Sequence, residues 1–228
     1  AMGRRIGFIP AAARLADPRR EMPLLIFLAE SGITLPEVAD RVNDMLRARG
    51  RALVVVSEGL KLGDIGETRD AFGHTQFSAS ETTVAQILVN YLNRVGLAAR
   101  GAARQNVPGT HQRHDMIQAS TVDIAEAYAV GQQAALLAAQ GESGYMATIL
   151  REPGPIYRVR YDKVPLELVA NSERTFPKGW IAPDRADVTD DFVAYARPLI
   201  GEDWPSIPLV NGLPRFARLK PIFAEKRL

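Results

Sequence analysis

Leu24, Leu25, Ile26, Phe27 and Leu28 open a stretch that continues through Val38, Val42, Met45 and Leu46 and ends on Leu53, Val54, Val55, Val56, Ser57, Glu58 and Gly59. Its first run is wholly apolar between Pro23 and Glu30 and reads as a buried strand. Its middle, residues 36–49, repeats apolar side chains at helical spacing, with Gly50 placed to end a helix. Its last run, residues 52–56, is short, apolar and rich in valine, as a fully buried strand would be. Strand, helix, strand is the order of two parallel strands joined by a crossover helix. The fold class expected is therefore α/β, a parallel sheet flanked by helices.

Outward from this unit the pattern stays mixed. Upstream, the Ala-rich residues 6–16 read as a helix stopped by Asp17 and Pro18. Downstream, residues 59–73 form a polar, Gly-rich loop, and residues 82–95 an amphipathic helix carrying Val84, Ile87, Leu88, Tyr91, Leu92 and Val95. A further helix is expected over residues 121–140, with Ser120 or Thr121 as its cap. Asp123 and Glu126 lie in its first turn, where the helix dipole favours acids. Strands at 145–150 and 157–161 flank a turn at Pro153, Gly154 and Pro155. Beyond Pro165 the chain is punctuated by prolines, with one short helix over 189–195. The reading divides the chain into an α/β domain, 1–150, and an irregular, partly helical C-terminal extension, 151–228.

Composition narrows the chemistry. Of 228 residues 46% are hydrophobic and 24% charged, so a packed core is affordable and disorder of the whole chain is not expected. The 28 basic and 26 acidic side chains leave a net charge of +2, too even for a dedicated nucleic-acid binder. The absence of cysteine removes disulfides, thiolate metal sites and thiol catalysis. With three histidines, His74, His111 and His114, no metal site is assigned to this chain. The longest apolar run, residues 23–29, is far shorter than the ~20 residues that cross a bilayer, so no membrane partner is expected. The first residues, Ala1 to Arg5, carry charge without the apolar stretch of a signal peptide, which points to the cytoplasm. They also enter a helix without a lead-in, the mark of a fragment or a processed chain.

Three clusters carry candidate chemistry. Glu58 stands at the carboxyl end of a strand, where parallel α/β sheets bind ligands and a carboxylate accepts bonds from polyol hydroxyls. Position alone leaves it divided between that role and capping a loop or pairing with a lysine. Arg104 and Arg113 flank Pro108 and Gly109 with no carboxylate between them. Guanidiniums beside a Gly turn suit a phosphate, and a solvated basic loop is the alternative. Met2, Gly3 and Arg4 open a helix, whose N-terminus favours anions. His74 reads as a structural loop residue, and His111 and His114 as groups that orient their loop.

Taken in order, these motifs resemble the phosphofructokinase family. The motifs are Met2-Gly-Arg, Val55-Val-Ser-Glu-Gly59, Asp70-Ala-Phe-Gly-His74, Pro108-Gly-Thr-His-Gln-Arg113, and Asp123 to Gly131 followed by Gly141 to Met146. The segments Val169 to Pro177 and Asn211-Gly-Leu-Pro214 are similar to its pyrophosphate-dependent branch. The resemblance implies a phosphofructokinase-like sugar-phosphate domain and the transfer of a phosphoryl group from pyrophosphate to fructose 6-phosphate. Met2, Gly3, Arg4, Glu58, Thr110 and Arg113 would contact the sugar phosphate, with Arg4 also catalytic, and Arg104 would be lent across a subunit interface. That interface implies a homodimer or a higher oligomer. Thr110 departs from the family's His or Tyr, with His111 beside it, and Arg100 competes with Arg104 but lies four residues too far from Arg113. The family's Gly-Gly-Asp donor loop and its catalytic aspartate segment do not occur in this sequence. The resemblance therefore implies a C-terminal, substrate-binding part whose donor domain, with most of the Mg²⁺ site, lies upstream. An ATP-dependent enzyme and a non-catalytic sugar-phosphate module are the alternatives.

Overall fold

A computed structural model of the protein describes residues 1–64, 66, 76, 80–170 and 172–223. Asp70, Phe72, Gly73 and His74 lie outside the described residues, as does Asn171.

The stretch that decides the fold forms the expected unit. Strands β1 (Leu24–Phe27) and β2 (Leu53–Val56) pair in parallel, Leu24 opposite Leu53 and Phe27 opposite Val56. Helix α1 (Phe8–Ala11) precedes them and helix α2 (Leu35–Arg49) joins them. Glu37 accepts from both the N–H and the hydroxyl of Thr34 at 2.8 Å, which fixes the start of α2. At its other end Gly50, with φ of 69°, donates to the Leu46 carbonyl. Val38, Ala39 and Val42 are the buried stripe of α2.

The two strands differ in cover. All four residues of β1 are buried, and its outer edge is occupied where Ile26 N–H donates to Ala186 O at 2.8 Å. The expectation that residues 52–56 are fully buried fails at the start of β2, where Leu53 is 47% exposed and Val54 and Val55 are half-buried. The reason is an open edge: residues 51–56 line a cavity, and among the described residues the parallel sheet is this one pair of strands.

Helix α3 (Val84–Val95) starts at Thr83, whose hydroxyl accepts from Gln86 N–H, and buries Val84, Leu88 and Leu92 at four-residue spacing. With Phe27, Val38, Val42 and Val56 these make one core. Each such side chain withdrawn from water contributes roughly 1.5–3 kcal/mol, as an upper value.

A second core joins the two ends of the chain. Ala11, Leu24, Ile26 and Leu28 pack with Phe176, Val188 and Phe192. Phe8 meets Phe176 edge-on with centroids 5.1 Å apart, and Trp180 lies 4.7 Å from Tyr195. The helix expected over 6–16 is α-helical only in α1 and tightens into a 3-10 turn over Ala12–Ala16. That turn carries Arg14 inward, where it binds Asp17, Asp187 and the Leu24 carbonyl.

Helix α4 (His111–His114) is a single turn, and α5 (Thr121–Ala139) starts at Ser120, whose hydroxyl oxygen accepts from Val122 and Asp123 N–H. Strands β3 (Tyr145–Arg151) and β4 (Val159–Pro165) form an antiparallel hairpin that passes through residue 150. The second strand begins two residues later than expected, beyond Tyr157, whose hydroxyl donates to Glu126 at 2.7 Å. Helix α6 (Asp190–Ala196) falls one residue past its expected start. A small hairpin follows, β5 (Leu209–Val210) and β6 (Leu213–Pro214), turning through Asn211 and Gly212, both at positive φ. Among the described residues no helix is long and apolar enough to cross a membrane.

Candidate functional site

The segment before α1 turns back on itself beyond the carboxyl ends of β1 and β2. Gly3 has φ of 135° and Arg4 φ of 51°, a region that a side-chain-bearing residue rarely adopts. Three residues after β2 hold this turn. One oxygen of Glu58, Oε1, accepts from Gly3 N–H at 3.1 Å and from Arg4 N–H at 2.8 Å. The Ser57 hydroxyl donates to Arg4 O at 3.3 Å, and the backbone of Arg4 and Arg5 passes directly over Gly59. From the end of β1, Glu30 Oε1 accepts from Gly7 N–H at 3.0 Å and from Phe176 N–H at 3.2 Å. The ends of both parallel strands therefore clamp one turn. Ala1 also lies along β2, donating to Val56 O and accepting from Glu58 N–H, the pattern of a parallel bridge.

The Pro108–Gly109 turn leads directly into α4. Gln112, one residue before Arg113, accepts from Met2 N–H through Oε1 at 2.9 Å, which joins this loop to the first cluster. The preceding loop is staked to the chain's own helices. Asn43 bonds Gly96 O and Ala98 N–H, and Asn93 bonds both backbone groups of Ala103.

A cavity of about 1790 Å³ lies between these pieces. Met2, Glu58, Arg104, Thr110 and Arg113 all line it, so the structure brings together five of the seven site residues expected from sequence. Gly3 and Arg4 are not among its lining residues, and the Arg4 side chain is exposed. Arg104 lines the cavity of its own chain, as does Arg100. Among the described residues Arg100, Arg104 and Arg113, like Arg51 on the same lining, form no ion pair, although Glu58, Asp115 and Asp123 share the wall. Asp123 shares the lining; burial, and then the neighbouring Glu126, pushes its carboxyl above the ordinary range. His111 and His114 are exposed, with rings 5.2 Å apart. No three histidines, aspartates or glutamates among the described residues come together as a metal would need.

Sequence reasoning missed Ser57, Gly59, Gln112, Glu30 and Asn93 as parts of this arrangement. Ser57, Gly59 and Gln112 adjoin residues it singled out; Glu30 directly follows the first strand run, where the rule applied to Glu58 also reaches it. Asn93 carries no local signal.

No family model matches the chain. Over its full length it is 34% identical to a pyrophosphate–fructose 6-phosphate 1-phosphotransferase of Halomonas elongata and 33% identical to the protein of the same name from Methylococcus capsulatus. In each case it covers 54% of the relative. The crystal structure of a pyrophosphate-dependent phosphofructokinase from Nitrosospira multiformis superposes on the whole chain with a TM-score of 0.80 at 34% identity, 53% of that protein being covered. The chain thus spans about half the length of the curated relatives it matches.

Proposed function

We propose that the chain forms the fructose 6-phosphate-binding part of a pyrophosphate-dependent phosphofructokinase, like the relatives it matches end to end over about half their length. The observation that carries this reading is the shared cavity. Glu58 and Arg113 line it together, and the Met2–Gln112 bond ties the two clusters at one wall.

The reaction would move a phosphoryl group from pyrophosphate to the 1-hydroxyl of fructose 6-phosphate, releasing orthophosphate and the hydroxyl proton. Arg113 and Arg104 would hold the 6-phosphate through charge-assisted bonds. Glu58 would present its second carboxylate oxygen to ring hydroxyls, since Oε1 is already engaged by backbone. Arg4 would offset charge developing on the transferred group. Mg²⁺ would neutralise the phosphates, held chiefly by the donor and by protein outside this chain.

In architecture, the sugar-phosphate domain over 1–150 would continue its parallel sheet along the open edge of β2, where Ala1 already sits in a bridging position. The extension, 151–228, would close the second core. The active form would be a homo-oligomer acting in the cytoplasm.

The test is Arg113→Ala in the active enzyme that contains this chain. One charge-assisted contact contributes roughly 1.5–3 kcal/mol, so the Michaelis constant for fructose 6-phosphate should rise by about 10- to 150-fold. An unchanged constant overturns the assignment. Exchanging pyrophosphate for ATP in the same assay tests the donor.

A further inference from the structure

We propose that Glu58 is a positioning residue for Arg4: by taking the N–H groups of Gly3 and Arg4 on one oxygen, it holds Arg4 in a left-handed turn that carries its guanidinium off the cavity wall, where it would meet the transferred phosphoryl group. This deepens the reading above and rests on it for the role of Arg4.

The turn has one bond of its own, from Ile6 N–H to Gly3 O at 3.0 Å, and that bond alone does not explain its strain. A residue with a Cβ at φ of 51° is strained, and strain of this kind persists only where the surroundings impose it. Here Glu30 holds Gly7 from the end of β1, and the residues after β2 hold Gly3 and Arg4 themselves. Glu58 is the acceptor for two successive N–H groups, Ser57 donates to the Arg4 carbonyl, and Gly59 leaves room for the Arg4 backbone. Two N–H groups converging on one anion form the concave backbone arrangement that favours negative charge. Such an arrangement could hold a substrate phosphate, but in this chain Glu58 fills it. The turn also sorts its side chains. Met2 lines the cavity and bonds Gln112, while Arg4 leaves the wall and is exposed. Glu58 would thus have two tasks, Oε1 for the turn and its remaining oxygen for the cavity that the residue also lines.

The two tasks separate in the kinetics of Glu58→Gln, Glu58→Ala and Arg4→Ala, measured in the active enzyme with fructose 6-phosphate and pyrophosphate. Glutamine keeps an oxygen that accepts both N–H groups but removes the charge facing the sugar. It should raise the Michaelis constant for fructose 6-phosphate about tenfold while kcat stays within about threefold. Glu58→Ala releases the turn, and kcat should fall about 100-fold, to the level of Arg4→Ala. The double variant Glu58→Ala with Arg4→Ala should then be no slower than Arg4→Ala alone, because both act through the same guanidinium. The proposal is overturned if Glu58→Gln loses kcat as fully as Arg4→Ala, or if the double variant is slower by the product of the two single losses. If Glu58→Ala does not fold, the Glu58→Gln result alone decides. If Arg4→Ala leaves kcat intact, it is the role given to Arg4 that fails, and the two failures are told apart.

Discussion

A Cβ placed on Gly59 would stand 2.1 Å from the carbonyl oxygen of Arg4, so the residue after Glu58 is a glycine because another stretch of backbone lies on it. Real Cβ contacts do not come so close, and the obstacle is main chain rather than a movable side-chain end. Gly59→Ala must therefore push the turn at residues 3–5 off its seat. Overpacking of this kind costs roughly 1–3 kcal/mol, and the melting temperature should fall by several degrees. The same variant should lower kcat, since the displaced segment carries Arg4. Gly131, inside α5 with open space around it, is the control: Gly131→Ala should raise stability by about 0.5–1 kcal/mol. Thermal unfolding of the two variants decides, and a Gly59→Ala protein as stable as its parent would refute the close approach.

Arg14 is 1% exposed and joins three elements, binding Asp17 and Asp187 at 2.9 Å and the Leu24 carbonyl at 3.1 Å. Its worth is clearest on removal. Arg14→Met would leave the buried Asp17 without its cation and Asp187 with Arg20 alone, a loss on the order of 3–5 kcal/mol for a broken buried pair. Arg14→Lys should recover only part of it, since an ammonium with three N–H groups cannot meet the four acceptors, Asp187 Oδ1, Asp17 O and Oδ2 and Leu24 O, that the guanidinium fork reaches. Urea unfolding should place Lys between Met and the parent. Equal stability of all three would mean that the network adds nothing.

Much of this was legible along the chain because the deciding signals are local. The Leu24–Phe27 run, the Val38–Val42 spacing and the glycine at 50 each act within one element, and β1, α2 and β2 follow. Ser120 as a cap and the apolar spacing of α3 are local in the same sense. The burial of β2 was not legible, because it depends on what lies at its outer edge and not on Leu53 itself. Nor was the split of the first helix, which follows from Arg14 reaching Asp187, 173 residues away. At the site, Glu58, Arg104 and Arg113 could be chosen by type and position, but the use of Glu58 Oε1 by Gly3 and Arg4 needs the two strand ends and the turn together. The β5–β6 hairpin did have a local signal, Asn211-Gly212, that served only as part of a family motif.

The loop before the Pro108–Gly109 turn owes its place to two asparagines. Asn93 accepts from Ala103 N–H at 2.7 Å and donates to Ala103 O at 3.2 Å, one residue before Arg104. Asn93→Ala should change the melting temperature little, because these bonds are exposed and each contributes about 0.5–1.5 kcal/mol or less. Affinity for fructose 6-phosphate should nevertheless drop several-fold as Arg104 loses its fixed position. Calorimetric titration measures this directly. Full affinity in Asn93→Ala would show that Arg104 needs no such anchor.

The acid limb of stability should carry the signature of Glu37. Bonds from the Thr34 N–H and hydroxyl, and then the Arg185 guanidinium, hold its carboxyl at about 2 against an ordinary 4.5. A pKa depressed in the folded state means that folding favours the ionised form. The stabilisation is therefore complete above pH 4.5 and disappears as the pH falls from 4.5 towards 2. Glu37→Gln lacks that titration while keeping an acceptor for the Thr34 N–H. Melting temperatures of the two proteins should differ by a constant margin, parent higher, from pH 7 to about pH 5, and the margin should close between pH 4.5 and 2. Salt should shrink the margin without abolishing it. Arg185 and Glu37 are both partly exposed and their attraction is screened, whereas the bonds from Thr34 are short-range. A margin that stays constant down to pH 2 would show that Glu37 titrates in the folded chain as it does in the unfolded one, and that the start of α2 is held by something other than its charge.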